Sequence, residues 1–174
     1  MEVCVPASRP LKFDPVLEAR RHWIEHGWAD AADGMAAVTS VFRVQQIYLA
    51  RIDAVLRPFG LTFARYEVLM LLVFSRRGSL PLNVVGSRLQ VHPTSVTNAV
   101  DRLEAQGLLR RVPHPTDRRT TLAEITDTGR GVAKQATEAV NESVFVDPHL
   151  SPKETEGLIA LLARLRAEAG DFQS

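Results

Sequence analysis

The stretch from Pro93 to Ile125 leaves this chain little choice of architecture. Pro93 opens an amphipathic run, PTSVTNAVDRLEAQ, and Gly107 closes it. Proline at the first helical position and glycine just past the last are strong helix punctuation. Val96, Val100 and Leu103 recur at helical spacing and predict the buried face. Thr94, Ser95, Thr97, Asn98, Asp101 and Arg102 fall on the opposite face. Two alternating segments follow, Leu108 to Val112 and Thr120 to Ile125, with PHPTDRR as the tip of a hairpin between them. Upstream, Pro81 to Leu89 reads as a short helix and Gln90-Val91-His92 as a turn. Helix, turn, helix and a hairpin with a basic tip make a winged helix-turn-helix.

The flanks are helical. Asp14 as N-cap, Pro15 at the first position and Gly27 beyond the end bracket a first helix. ADAADG reads as a linker. From Met35 to Leu56, Val38, Val41, Phe42, Ile47, Leu49, Ile52 and Leu56 mark a long, largely apolar helix stopped at Pro58-Phe59-Gly60. Thr62 caps FARYEVLMLLVFS, which is apolar almost all round and belongs in a core. Thr126 caps a helix to about Val146, and Ser151-Pro152-Lys153-Glu154 is a capping box that opens the last one. The fold class expected is mainly α with a small two- or three-stranded β-wing.

Charge is uneven along the chain. The net charge is only +1, yet the basic residues concentrate between positions 38 and 119 and both ends are acidic. Only Lys12, Lys134 and Lys153 among the 21 basic residues are lysine. Arginine suits planar hydrogen bonding to phosphate or carboxylate. A basic centre between acidic ends suits a nucleic-acid reader whose ends do another job. One cysteine, Cys4, excludes an intrachain disulfide and fits a reducing compartment. The N-terminus lacks a basic region followed by an apolar run, and the longest apolar stretch, Val68 to Phe74, is too short to span a bilayer, so a cytoplasmic protein is expected. No nucleophile elbow, phosphate loop or metal-protease motif is present, which argues against an enzyme.

The DNA reading has a physical basis at each part. A helix in the major groove needs short hydrogen-bonding side chains near its N-terminus, which Thr94, Ser95, Thr97 and Asn98 supply. Asn98 can pair bidentately with adenine. The helix N-terminus attracts a phosphate. Arg118 and Arg119 sit at the hairpin tip, where a guanidinium can enter the minor groove.

The segment VHPTSVTNAVDRLEAQGLLRRVPHPTDRRTTLAEITDTG resembles the DNA-binding core of the multiple antibiotic resistance regulator (MarR) family. Asp117, Arg119, Ile125 and Thr126 match its wing pattern of Asp-x-Arg followed by a hydrophobic-Thr pair, and FGLTFARYEVLMLL matches the helix before its reading head. The resemblance implies a homodimer held by first and last helices, and a repressor of double-stranded DNA at an inverted-repeat operator, released by a small molecule. It places Thr94, Ser95, Thr97, Asn98 and Arg102 on or beside the major groove, Arg119 in the minor groove and Arg118 on phosphate. Asp117 would orient the wing arginines. Arg102 has a second reading: buried at the base of the wing and paired with Asp117. The division expected is a disordered tail over 1–13, N-terminal helices for dimerisation and a ligand cleft over 14–60, the DNA-binding unit over 61–126, and C-terminal dimerisation helices over 127–174.

The effector is less constrained. Trp23 and Glu67 loosely match positions used by urate-responsive members, whereas Ala99 stands where those carry an arginine. Trp23 and Trp28 equally suit packing of the extra helix. Arg43, Arg51, Arg65 and Tyr66 flank the expected cleft and suit an anionic or phenolic ligand. Asp14, Glu18, His22 and His26 form one helical stripe that a metal could use, and Cys4 invites a peroxide-sensing reading, so a metal- or redox-sensing regulator is one alternative. An architectural DNA binder without an effector is another. No cofactor or metal is expected.

Overall fold

The structure is a computed structural model, and it describes residues 10–117 and 119–173. Cys4 and Arg118 lie outside the described residues. The elements are α1 (Pro15–Glu25), α2 (Ala29–Leu56), α3 (Phe63–Phe74), β1 (Ser79–Pro81), α4 (Leu82–Leu89), α5 (Pro93–Ala105), β2 (Leu109–Pro113), β3 (Thr121–Ile125), α6 (Asp127–Val140) and α7 (Pro152–Glu168). A turn of π-helix, Asn141–Phe145, extends α6. Among the described residues no helix is long and apolar enough to cross a membrane.

Local punctuation sets most helix ends where expected. The Asp14 carboxylate accepts from the Val16 N–H at 2.8 Å, and Gly27 takes a positive φ of 84° after α1. The Ser151–Glu154 capping box is complete at the start of α7. Two expectations change. ADAADG is the first turns of α2 and not a linker. Its alanines are the best helix formers, Asp30 suits the positive end of the helix dipole, and Asp33 pairs with Arg20 of α1 at 2.5 Å. Thr62 also does not cap α3 with its side chain. Its hydroxyl accepts from Arg65 Nε at 3.2 Å, and the Phe63 N–H instead donates to Asp53 of α2 at 2.7 Å.

The wing is a three-stranded antiparallel sheet in the order β1-β3-β2. Leu80 of β1 pairs with Ala123, and Arg111 of β2 pairs with the same residue from the other side. Pro81 ends the edge strand, where a missing N–H breaks no interior ladder, and it also precedes α4. The core gathers the C-terminal turn of α2 with α3, α5, α6 and the sheet. Leu56, Leu69, Leu72, Leu103, Leu109 and Val140 are fully buried in it. The start of α6 presses on the end of α5. Thr126 donates its hydroxyl to the Gly107 carbonyl at 2.7 Å, and a Cβ at Gly129 would lie 1.9 Å from the Leu108 carbonyl oxygen. Glycine is required there by close approach.

Outside this core the apolar surface is bare. On α2, Val38, Phe42 and Ile47 are exposed, and on α7 Ile159, Leu161 and Leu165 are exposed. No residue of α7 is buried.

Candidate nucleic-acid interface and effector groove

The sequence of α5 divides between two surfaces as its period requires. Val96, Val100 and Leu103 are buried against the core. Thr94, Ser95, Thr97, Asn98 and Arg102 are all exposed on the opposite side. The helix is capped by His92, whose Nδ1 accepts from the Thr94 N–H at 3.3 Å. Thr97 donates its hydroxyl to the Pro93 carbonyl at 3.1 Å, a back-bond that fixes its rotamer. Among the described residues, the Asn98 amide and the Arg102 guanidinium engage no side-chain partner and face solvent. The alternative reading of Arg102 fails. It is exposed, and Asp117 bonds elsewhere.

The acids on α5 are held by the wing. Arg111 of β2 reaches Glu104 with one guanidinium nitrogen and Asp101 with another at 2.6 Å, and its backbone N–H donates to Glu104 at 2.8 Å. The Arg111 backbone N–H, and then its guanidinium, hold the Glu104 carboxyl below the usual carboxylate range. This clamp fixes the angle between α5 and the hairpin. It also places a cation beside Asp101, which offsets the acid's charge on the exposed side of α5. Sequence reasoning missed it. The available signal was two acids one helical turn apart followed by a basic pair in the next strand.

The wing tip is built from a second copy of the motif that caps α5. His92-Pro93-Thr94 and His114-Pro115-Thr116 are the same tripeptide. In both, histidine Nδ1 accepts from the N–H of the threonine two residues on, at 3.3 Å. His114 Nδ1 also accepts from the Asp117 N–H at 3.2 Å. Asp117 then accepts from the Thr120 hydroxyl at 2.6 Å and the Arg119 N–H at 3.0 Å, and these two bonds lower its carboxyl below the ordinary value. Asp117 thus shapes the backbone that carries Arg119; it does not grip the Arg119 guanidinium. Arg119 itself is exposed.

The six expected effector residues do not converge. Tyr66 and Glu67 line a groove of about 410 Å³ between α3, the end of α4, α6 and the π-turn. Phe63, Phe74 and Phe145 supply further aromatic walls, and Met70, Leu71 and Leu89 supply aliphatic ones. Trp23, Arg43, Arg51 and Arg65 do not line it. Trp23 packs edge-on against Trp28 with ring centroids 5.3 Å apart. Arg43 is exposed on α2, Arg51 lies 5.9 Å from the Tyr48 ring centroid, and Arg65 is tied to Thr62. The stripe on α1 is an ion network. Glu18 bonds Arg21 at 2.6 Å, and His22 lies between Glu18 and Glu25 at 3.4 and 3.2 Å. Among the described residues no group of three acidic, histidine or cysteine side chains is placed to hold a metal ion.

Comparison with known proteins agrees with this geometry. The sequence signature of the MarR family matches residues 59–120. The HTH-type transcriptional regulator MhqR of Bacillus subtilis is 34% identical over 119 residues, which cover 66% of this chain and 79% of MhqR. Sco5413, a MarR family transcriptional regulator from Streptomyces coelicolor, is 49% identical with a TM-score of 0.75, covering 82% of this chain and 99% of that one. Sco3205 of the same organism, solved in complex with DNA, is 26% identical with a TM-score of 0.68 over 79% of this chain and 88% of its own. CouR from Rhodococcus jostii, solved with p-coumaroyl-CoA, is 25% identical with a TM-score of 0.63 over 77% and 90%. With the sheet, the capped α5 and the wing in place, this chain belongs to the MarR family of winged helix-turn-helix transcriptional regulators.

Proposed function

We propose that the protein is a homodimeric repressor that binds an inverted repeat and is released by a small molecule in the groove between α3 and α6. The observation that carries this reading is the split of exposed surface. Asn98 and Arg102 of α5 and Arg119 of the wing are exposed and engage no side-chain partner among the described residues, whereas apolar side chains are bare on α2 and α7. Soluble proteins rarely leave extended apolar patches wet, so residues 14–60 and 127–174 act as the dimerisation region around residues 61–126. Two identical heads then require half-sites about one helical turn apart.

In this reading Asn98 contacts bases, with Thr94, Ser95, Thr97 and Arg102 beside it. Arg119 enters the minor groove, and Arg118 pairs with phosphate. A ligand between α3 of the head and α6 of the dimerisation region shifts the spacing of the two heads. By linkage, DNA must weaken the ligand by the same factor that the ligand weakens DNA. A ligand complex such as that of CouR supports a groove of this kind as a sensing element, and its volume of about 410 Å³ leaves room for a small molecule, which disfavours an architectural protein with nothing to sense.

The test separates the two DNA contacts. Asn98→Ala is expected to lose about 1–3 kcal/mol per half-site on the operator, with little change on random DNA. Arg119→Ala is expected to weaken both, and to flatten the salt dependence by about one unit per wing. Equal losses on specific and random DNA for both variants would overturn the assignment.

A further inference from the structure

The groove between α3 and α6 carries the opposite charge from the arginine-lined cleft expected from the sequence. Among the described residues lining it, Glu67 is the one that bears a charge. Glu67 is half-buried, and burial pushes its carboxyl above the ordinary range with no neighbouring cation to oppose the shift. Lys134 of α6 does not line the groove and stands 3.9 Å from Glu138.

Two further polar side chains line the groove on the α6 side, Thr137 and the exposed Asn141, and Thr137 is already engaged. Thr137 donates its hydroxyl to the Ala133 carbonyl at 2.8 Å, so its oxygen accepts from the Tyr66 hydroxyl at 3.0 Å. That leaves Glu67 as the charged group facing a ligand. Around it stand four aromatic rings, of Phe63, Tyr66, Phe74 and Phe145, the first two stacked with centroids 6.3 Å apart. Aromatic faces attract cations even at partly exposed sites such as this one, where Phe74 and Phe145 keep 77% and 49% of their surface open. A desolvated carboxylate gains most from a counter-charge, and an anionic ligand would meet like charge.

We propose that this groove binds a lipophilic organic cation, an aryl or alkyl body bearing one ammonium group, with Glu67 as counter-ion and the aromatic rings as its walls. The proposal rests on reading the groove as the effector site. It replaces the anionic or phenolic ligand expected from Arg43, Arg51 and Arg65 with a ligand of opposite charge.

Three probes of near-equal length test it on the full-length protein by calorimetry: phenylbutyl-trimethylammonium, phenylbutanol and phenylpentanoate. The cation is expected to bind about tenfold more tightly than the alcohol, and the carboxylate most weakly. Glu67→Gln, which keeps shape and removes charge, should cut most of the cation's advantage over the alcohol and leave alcohol binding unchanged. Phe145→Leu, which keeps apolar volume and removes a ring, should weaken the cation alone. Preference for the carboxylate, equal binding of all three, a cation preference undiminished in Glu67→Gln, or no binding of any probe at millimolar concentration would each overturn the proposal. Operator release measured in parallel separates the two readings. Release by the carboxylate with the cation inert would leave the effector reading standing and sink this one. Glu67-dependent cation binding without any loosening of DNA would do the reverse.

Discussion

In the reading head Leu103 is wholly buried, whereas Leu165, an equally apolar side chain on α7, is 57% exposed. Both lie on amphipathic helices and differ only in what is available to cover them. The head closes on itself: Leu103 sits in one buried cluster with side chains of α3 and the sheet, and α5 packs against α3, α4 and β2. The flanking helices have no such neighbours. Phe42 of α2 and Ile159 of α7 are each 62% exposed. The comparison teaches that the head is a folding unit, whereas α2 and α7 carry apolar side chains that no described residue covers, the face on which the proposed dimer would form.

The largest effect is expected from charging that interface. Leu161→Glu with Leu165→Glu removes four apolar side chains from a two-fold dimer, at about 1.5–3 kcal/mol each. Sedimentation at micromolar concentration should then show monomer where the parent chain sedimented as dimer, with operator affinity lost. A parent chain that sedimented as monomer would break the comparison outright. Next in size is Leu103→Ala, which should cost about 2–5 kcal/mol of folding stability from the cavity it leaves. The size of its effect should not depend on protein concentration, whereas the effect of Leu165→Ala should grow as concentration rises, because it acts through dimerisation, which stabilises by mass action. Thermal melts over a hundredfold range of concentration distinguish the two.

Smaller effects probe how the two regions are joined. Asp53→Ala removes the side chain on α2 that caps α3, and should cost about 1 kcal/mol. Thr62→Ala, at the position that looks like the cap, should cost less, because its hydroxyl bonds only Arg65 and no backbone N–H of the helix. The reverse order in chemical denaturation would show that α3 is capped locally, as its sequence suggests. Smallest is His92→Asn, which keeps an acceptor at the start of α5 and should stay within a few tenths of a kcal/mol of the parent.

Much of the architecture was legible because its determinants are short-range. Pro93, Gly107 and the alternation of Val96, Val100 and Leu103 specify α5 within one segment. The exposed polar side of that helix followed from the same period, since burying one face exposes the other. The ADAADG stretch was misread because aspartate and glycine mark loops statistically, yet three alanines and a partner at Arg20 outweigh them.

The groove between α3 and α6 was the least legible part. Arg43, Arg51, Arg65, Tyr66 and Glu67 are close in sequence or in helical register, and nothing in their spacing says which ones share a cavity. Only packing of α6 and its π-turn against α3 turns Tyr66 and Glu67 inward and leaves the arginines outside.

The sequence by itself determined where most helices begin and end, which face of α5 meets the core, and that the wing carries arginine at its tip. These depend on residue types and on hydrogen bonds spanning two or three positions, such as those of Asp14, His92 and Ser151. The tertiary structure alone decided that Asp53 caps α3, that Arg111 clamps Asp101 and Glu104, that Ser79–Pro81 joins the sheet, and that the groove is acidic. Each of those joins elements separated by a turn or more of chain. Residue type sets which bonds a side chain is able to make, and the packing of distant elements selects the partner that it meets.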